Sequence, residues 1–213
     1  MNKLKMQKEV QTQIKDTELV QKKRLQIAMG ASKLFINKGY SQTSIREITK
    51  ATGLTVGNLY DYVTRKEDIL YLVFDVFQSM WVSALKEDGV FEIEDPVKQL
   101  ESAIKRMLKL VNENRDMVLL MYTESKSLPK KFLKIILEKE SELVECFEKI
   151  LESGIKKGVF KIKSPFLLAN IIVYLLSIEA LRGWNLKRQY EGEKAKNLIG
   201  EYILETVLKS VQK

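Results

Sequence analysis

Apolar side chains recur along this chain at steps of three and four residues, the period of a helix with one buried face. From Thr17, the positions Val20, Leu25, Ala28, Met29, Ala31, Leu34 and Phe35 follow that spacing. They predict a helix that stops at Asn37-Lys38-Gly39, where Gly39 suits the left-handed position past a C-terminus. A second long stripe starts near Lys66 and carries Ile69, Leu70, Val73, Phe74, Phe77, Met80, Trp81 and Leu85, until Asp88-Gly89 breaks it. Three later starts show a capping residue one or two positions before a proline: Asp95-Pro96, Ser127-Leu128-Pro129 and Ser164-Pro165. The first of these predicts a helix running to the polar turn Asn112-Glu113-Asn114-Arg115, and a shorter helix then covers 116–124. The second predicts a helix to about Lys156, followed by a turn over 157–161. The third predicts a helix of about 20 residues, and a last helix runs from about Glu191 to Val211. No stretch alternates with period two. The predicted fold class is all-α.

Between the first two stripes lies a more compact pattern. Ser44 and Glu47 have the spacing of a capping box, in which each side chain satisfies the other's free amide. A short helix should start there, bury Ile45, Ile48 and Ala51, and stop at Gly53, which permits a sharp turn. Thr55 should cap a second short helix with Leu59 and Val63 facing inward. Two brief helices joined by a glycine turn make a helix-turn-helix, whose second helix can enter a major groove.

Charge supports that reading. The net charge is +8; residues 1–66 hold 13 Lys/Arg against 5 Asp/Glu, and residues 67–213 hold 23 of each. All of the excess therefore sits in the first third, the footprint of a module that binds a polyanion. Lysines of a polar tail (Lys3, Lys5, Lys8 and Lys15) account for part of it. The absence of histidine removes the commonest general base and transition-metal ligand together. A single cysteine, Cys146, excludes an internal disulfide and a Cys-rich metal site. The expectation is a protein that is not an enzyme and holds no metal or cofactor. The N-terminus has no apolar signal core and no uninterrupted apolar run approaches membrane length, so a cytoplasmic protein without a membrane partner is expected.

The segment Thr43-Ser44-Ile45-Arg46-Glu47-Ile48-Thr49-Lys50-Ala51-Thr52-Gly53-Leu54-Thr55, with Gly57, Leu59-Tyr60, Tyr62 and Lys66-Glu67-Asp68-Ile69-Leu70 after it, resembles the DNA-binding domain of TetR-family repressors. The resemblance covers about residues 20–70. It implies an N-terminal three-helix helix-turn-helix domain (1–66) and a helical effector-binding and dimerisation domain (67–213). It places Thr43, Ser44, Thr55, Tyr60, Tyr62 and Lys66 at phosphates, and Val56, Gly57, Asn58 and Asp61 at or near base edges; Arg46 joins the DNA-binding set. Hydroxyls, helix N-terminal amides and a lysine suit phosphate oxygens, Asn58 suits adenine, and Val56 suits a thymine methyl. Two departures stand out: Val63 replaces a usual aromatic, and Asp61 sets a negative charge beside the DNA. Read on their own, Tyr60 and Tyr62 also fit a core, Ser44 and Thr55 fit caps, and Lys66 fits a solvated face.

The resemblance further implies that the last two helices pair with a partner's to make a homodimer on a palindromic double-stranded operator. It also implies that the helices of 66–156 enclose a mostly apolar cavity for a small hydrophobic effector. Candidate effector residues are Phe74, Phe77, Trp81, Met107, Met121, Tyr122, Phe132 and Tyr174, although aromatics and methionines at helical spacing also serve as core. The stretch Tyr122-Thr123-Glu124-Ser125-Lys126-Ser127-Leu128-Pro129 resembles the sensor segment of TetR-family regulators of fatty-acid degradation, pointing to long-chain acyl-CoA or a fatty acid. There Lys126, Lys130 and Lys131 would meet phosphates. A multidrug-type sensor fits the same composition. A helical scaffold that binds no DNA is the remaining non-enzymatic reading.

Overall fold

The computed structural model describes residues 10–87, 89–190 and 192–211. Lys3, Lys5 and Lys8, the breaking residue Asp88 and the expected start Glu191 lie outside them. Ten α-helices and two short 3-10 turns, with no strand, occupy the described residues. They are α1 (Thr17–Lys38), α2 (Ile45–Thr52), α3 (Val56–Tyr60), α4 (Lys66–Glu87), α5 (Pro96–Glu113), α6 (Arg115–Glu124), α7 (Lys130–Lys156), α8 (Pro165–Leu176), α9 (Ile178–Leu186) and α10 (Gly192–Val211).

Local chemistry sets most of these ends. Asp16 accepts from the amides of Glu18 and Leu19 and starts α1. Asp95 accepts from Val97 and Lys98 with Pro96 at the first helical position of α5, and Ser164 accepts from Leu167 ahead of Pro165. Gly89 stands at φ +68°, a conformation that a side chain disfavours, and so marks the break after α4.

The chain divides into two compact units: the described residues up to Ser79 with Leu120–Leu137, and Met80–Leu119 with the described residues from Glu138 onward. In the first unit α1 packs on α2 at glycine distance. A β-carbon on Gly30 would meet Thr52 Cγ2 at 2.6 Å, so only glycine allows this approach. Tyr71 of α4 stacks on Phe132 of α7, ring centroids 4.3 Å apart, and Gln78 Nε2 donates to the Ile136 carbonyl at 3.1 Å. In the second unit α5 packs against α10, α8 and α9. The α7–α8 turn closes where Val159 and Phe160 donate to the Gly154 carbonyl and Lys161 donates to that of Val211.

Three expectations needed correction. The single helix from Ser164 is two helices, α8 and α9, bent by 47° at Ser177. There the Ser177 amide bonds back three residues to Tyr174 and its hydroxyl reaches the Val173 carbonyl, which tightens and turns the backbone. On α1, Leu25 and Met29 are exposed, and the buried line runs Val20, Arg24, Ile27, Ala28, Ala31, Phe35. On α2, Ala51 is exposed, and Thr49 and Thr52 are buried beside Ile48 because their hydroxyls bond back to carbonyls one turn earlier. The sequence expectation about membrane length stands as made: α4 passes by average hydropathy alone, its apolar run is interrupted by Asp75, Gln78 and Ser79, and 72% of that stretch is buried inside the protein.

Candidate nucleic-acid interface

The capping box opens α2. Ser44 Oγ accepts from the Glu47 amide at 3.3 Å, while the Ser44 amide and hydroxyl both donate to Glu47 Oε2 at 2.8 Å. Lys38 at the end of α1 pairs with the other carboxylate oxygen. The lysine, then the serine, hold the Glu47 carboxyl down at about 2. A carboxyl whose folded pKa is depressed stabilises the fold above its ordinary value, and that contribution disappears as pH falls towards the folded value. Acidification from pH 5 to pH 2 is therefore expected to loosen the start of α2. In Glu47→Gln this part of the pH dependence should be missing, as followed by amide exchange at residues 45–48.

Gly53 ends α2 at φ +66°, ψ 21°, in the left-handed conformation a glycine favours, and its amide donates to the Thr49 carbonyl. The chain turns through Leu54 into α3, where Thr55 Oγ1 accepts from the Asn58 amide at 3.2 Å. Leu59 is fully buried and pins α3 to the first unit. Val56, Gly57, Asn58 and Tyr60 are exposed around it, with Tyr60 46% exposed and Asp61 following as the C-cap. One short helix thus offers an amide side chain, a β-branched methyl pair, a bare glycine and a phenol to solvent. Ser44, Arg46 and Thr55 are exposed with them, at the starts of the two helices and on α2.

Two of the expected DNA-binding side chains are not on that exposed face. Thr43 is buried and its hydroxyl donates to the Gly39 carbonyl at 2.8 Å, so it holds the α1–α2 turn. Tyr62 is buried just after α3, where its carbonyl accepts from Arg24. Lys66 is partly engaged: its ammonium lies 4.4 Å from the centre of the Tyr40 ring and donates to the carbonyls of Tyr40 and Ser41. Partial burial lowers the Lys66 pKa. Burial first, then the carboxylate of Glu67, pushes the Tyr40 phenol up to about 12. An ammonium has three donors, and these two carbonyls leave one.

Sequence reasoning missed Arg24. It is almost fully buried, donates through Nε to the Tyr62 carbonyl at 3.1 Å and through Nη2 to the Val10 carbonyl at 2.6 Å, and is attracted by Asp68. Asp68 is itself buried and caps α4 by accepting from the Thr64 and Arg65 amides. The signal was present: Arg24 stands four residues after Val20 and four before Ala28, on the stripe that faces inward. Gln26, which donates to the Thr52 carbonyl across α1 and α2, was missed as well.

The expected effector residues divide between the units. Phe74, Phe77, Met121 and Phe132 are buried in the first, Trp81 and Met107 in the second. Tyr122 and Tyr174 depart from the expectation of an enclosed lining, being 45% and 56% exposed. None of the eight lines the groove of about 470 Å³ between α5 and α10, whose walls include Lys105, Leu108, Asn112, Gly200 and Leu204. Among the described residues no group of His, Cys, Asp or Glu is arranged to hold a metal ion.

Comparison with known proteins accounts for this arrangement. Residues 27–71 match the sequence model described as bacterial regulatory proteins, tetR family. Residues 93–209 match the tetracyclin repressor-like C-terminal domain. The HTH-type transcriptional regulator HbdR of Aromatoleum sp. (strain CIB) is 26% identical over 203 residues, spanning 95% of this chain and 85% of that one. Two solved structures share the fold. The Bacillus subtilis transcriptional regulator FadR, in complex with stearoyl-CoA, superposes with a TM-score of 0.74 at 20% identity over 88% of this chain and 99% of that one. AibR, in complex with isovaleryl coenzyme A and operator DNA, gives 0.70 at 18% identity, covering 86% and 97%. With one family model on the helix-turn-helix and another over more than half of the chain, the protein belongs to the TetR family of bacterial transcriptional regulators.

Proposed function

We propose that this regulator is a repressor that binds a roughly palindromic operator as a homodimer and is released by a hydrophobic effector, a long-chain acyl-CoA or fatty acid. DNA binding is assigned to residues 1–66, and effector binding and pairing to 67–213. The observation that carries the proposal is α3, a capped helix anchored by Leu59 with Val56, Gly57, Asn58 and Tyr60 exposed together. Base edges are assigned to Val56, Gly57 and Asn58, with Asp61 at their margin. Phosphates are assigned to Ser44, Arg46, Thr55, Tyr60 and the remaining donor of Lys66. Thr43 and Tyr62 support these contacts from inside. Tyr60→Ala is expected to weaken binding to all duplexes alike, whereas Asn58→Ala should cost about 1–3 kcal/mol at one base pair and relax discrimination there. Equal weakening of every sequence by Asn58→Ala would remove it from base reading.

Pairing is assigned to the second unit. On α8, Leu167, Ile171 and Tyr174 stand at i, i+4 and i+7, all exposed, with Phe166 beside them. Trp184 on α9 is 68% exposed and Tyr202 on α10 is exposed as well. So much apolar surface on neighbouring helices fits a two-fold interface between identical chains. A protein with a DNA operator as partner works in the cytoplasm.

The effector class draws on three features. FadR of Bacillus subtilis binds stearoyl-CoA and AibR binds isovaleryl coenzyme A. Here Phe74, Phe77, Met121 and Phe132 provide buried apolar walls in the first unit, matched to an acyl chain. In the same unit Lys126, Lys130 and Lys131 are exposed around the start of α7, matched to phosphates. Trp81 and Met107 are retained as effector residues of the second unit. An effector acts only through unequal affinity for the DNA-bound and released conformations. The test is native mass spectrometry of the full chain with stearoyl-CoA, paired with release of bound duplex. Stoichiometric binding with release is expected; binding without release, or no binding, overturns the effector assignment.

A further inference from the structure

The recognition helix is short, and its end is held by a segment from elsewhere in the chain. Five residues make little more than one turn, and a helix of that length takes its stability and direction from what it packs against. Within α3 the inward contact is Leu59, and Thr55 caps the start. Asp61 and Tyr62 follow, their amides bonded back to the carbonyls of Gly57 and Leu59. Their own carbonyls accept from partners outside α3. Thr12 Oγ1 donates to the Asp61 carbonyl at 2.7 Å and accepts from the Ile14 amide at 3.2 Å, so the hydroxyl that reaches α3 also fixes the turn it stands on. Arg24 Nε donates to the Tyr62 carbonyl at 3.1 Å, and its Nη2 donates to the carbonyl of the buried Val10 at 2.6 Å. Residues 10–12 are thus ordered against the residues that close α3, although Thr12 stands 49 positions before Asp61. Ordering a segment costs conformational entropy, which the burial of Val10 and the bonds of Arg24 offset.

We propose that Thr12, with Val10 and Arg24 behind it, is a positioning residue for base reading: it braces the end of α3 and so sets where Val56, Gly57 and Asn58 meet the base edges. The inference rests on the DNA-binding reading above. Tyr62 and Val63 are buried directly after α3, whereas Asp61 is exposed, and Thr12 ties the backbone of that exposed residue. Asp61 also brings a carboxylate to the margin of the base edges. A duplex repels that charge, and the bond from Thr12 resists the backbone shift that the repulsion favours. Base contacts hold only within about 0.5 Å of their productive geometry. Attraction of basic residues to phosphates is longer in range and survives a small tilt of the helix. Loosening the brace therefore costs discrimination between sequences before it costs general affinity.

The experiment uses the full chain, a duplex that the full chain selects from a random-sequence pool, and a scrambled control. Fluorescence anisotropy compares the wild type with Thr12→Val, which keeps the shape but cannot donate, and Thr12→Ser, which can. Thr12→Val should bind the selected duplex about two- to tenfold more weakly, the factor that one net hydrogen bond supplies, and bind the control as the wild type does. The slope of log affinity against log salt should stay the same, because no charge is altered. Thr12→Ser should restore the selectivity. Amide exchange at Asp61 and Tyr62 should quicken in the valine variant and return to the wild-type rate in the serine variant. Equal weakening of both duplexes by Thr12→Val would make Thr12 a phosphate contact and overturn the brace. Undiminished selectivity in Thr12→Val, or a loss that Thr12→Ser does not restore, would overturn it as well. A full chain that selects no sequence would overturn the brace together with the DNA-binding reading.

Discussion

Arg24→Met is expected to lower stability by about 3–5 kcal/mol, because it removes one partner from a buried polar cluster and leaves the others in place. The carbonyls of Val10 and Tyr62 would lose their donor, and Asp68 its nearest buried cation. Methionine restores much of the apolar stem, so the loss would be polar rather than a cavity. For a chain of this length such a change lowers the melting temperature by roughly 6–20 °C. Arg24→Lys should fall between the two, since an ammonium keeps the charge but cannot fork to two carbonyls at once. Thermal denaturation of the three proteins checks this; a methionine variant within 1 °C of the wild type would contradict the cluster's role. The variants also offer a cleaner dissection than cutting the chain at residue 66, because Tyr71, Phe74 and Phe132 belong to the same compact unit as α1–α3 and a truncation would uncover them.

Gly154→Val is the second large effect, in the other unit. A β-carbon at this position would lie 2.0 Å from Phe160 Cδ2 and 2.3 Å from Cε2, so even alanine collides with the face of a buried ring. The ring cannot simply swing away, because the Phe160 amide donates to the Gly154 carbonyl and holds the turn closed. Overpacking of this kind costs about 1–3 kcal/mol and more where the backbone is tied. Adding Phe160→Leu to Gly154→Ala should cost less than the sum of the separate changes, a coupling that distant sites do not show. Denaturant unfolding of the four proteins measures it; additive costs would mean that the ring and the glycine do not share the space.

Both effects depend on contacts across the fold, and that dependence separates what could be read along the chain from what could not. The helix starts at Ser44, Asp95 and Ser164 and the stop at Gly53 were legible because each is decided by residues within four positions of one another. On α3 the pattern gave Leu59 as the inward residue, and the resemblance to the TetR DNA-binding domain implied the outward set of Val56, Gly57 and Asn58. The inward position of Arg24 was legible from the stripe, but its role was not, since its partners Val10 and Tyr62 stand 14 and 38 residues away. Lys66 read as a free phosphate ligand because nothing near it announces Tyr40, 26 residues earlier, as its partner. The exchange of Ala51 for Thr52 on the buried side of α2 reflects the hydroxyl's option of bonding to its own helix, which lets a polar residue go inside. The bend at Ser177 uses the same option and is invisible to a pattern of apolar spacing. Tyr174 shows a further limit. An aromatic at helical spacing looks alike whether it fills a pocket, a core or an exposed face, and only packing tells them apart.

The central claim is that an anchored α3 reads DNA sequence, with the charge excess of residues 1–66 supplying the non-specific attraction beneath it. Selection of duplexes from a random pool by the full chain, followed by binding of the enriched sequence and a scrambled control at two salt concentrations, tests it most directly. The account predicts an enriched palindrome whose half-site centres lie about one helical turn apart or slightly more, bound far more tightly than the control and weakened steeply by salt. Binding that is equal for the enriched and scrambled duplexes, or indifferent to salt, would contradict it.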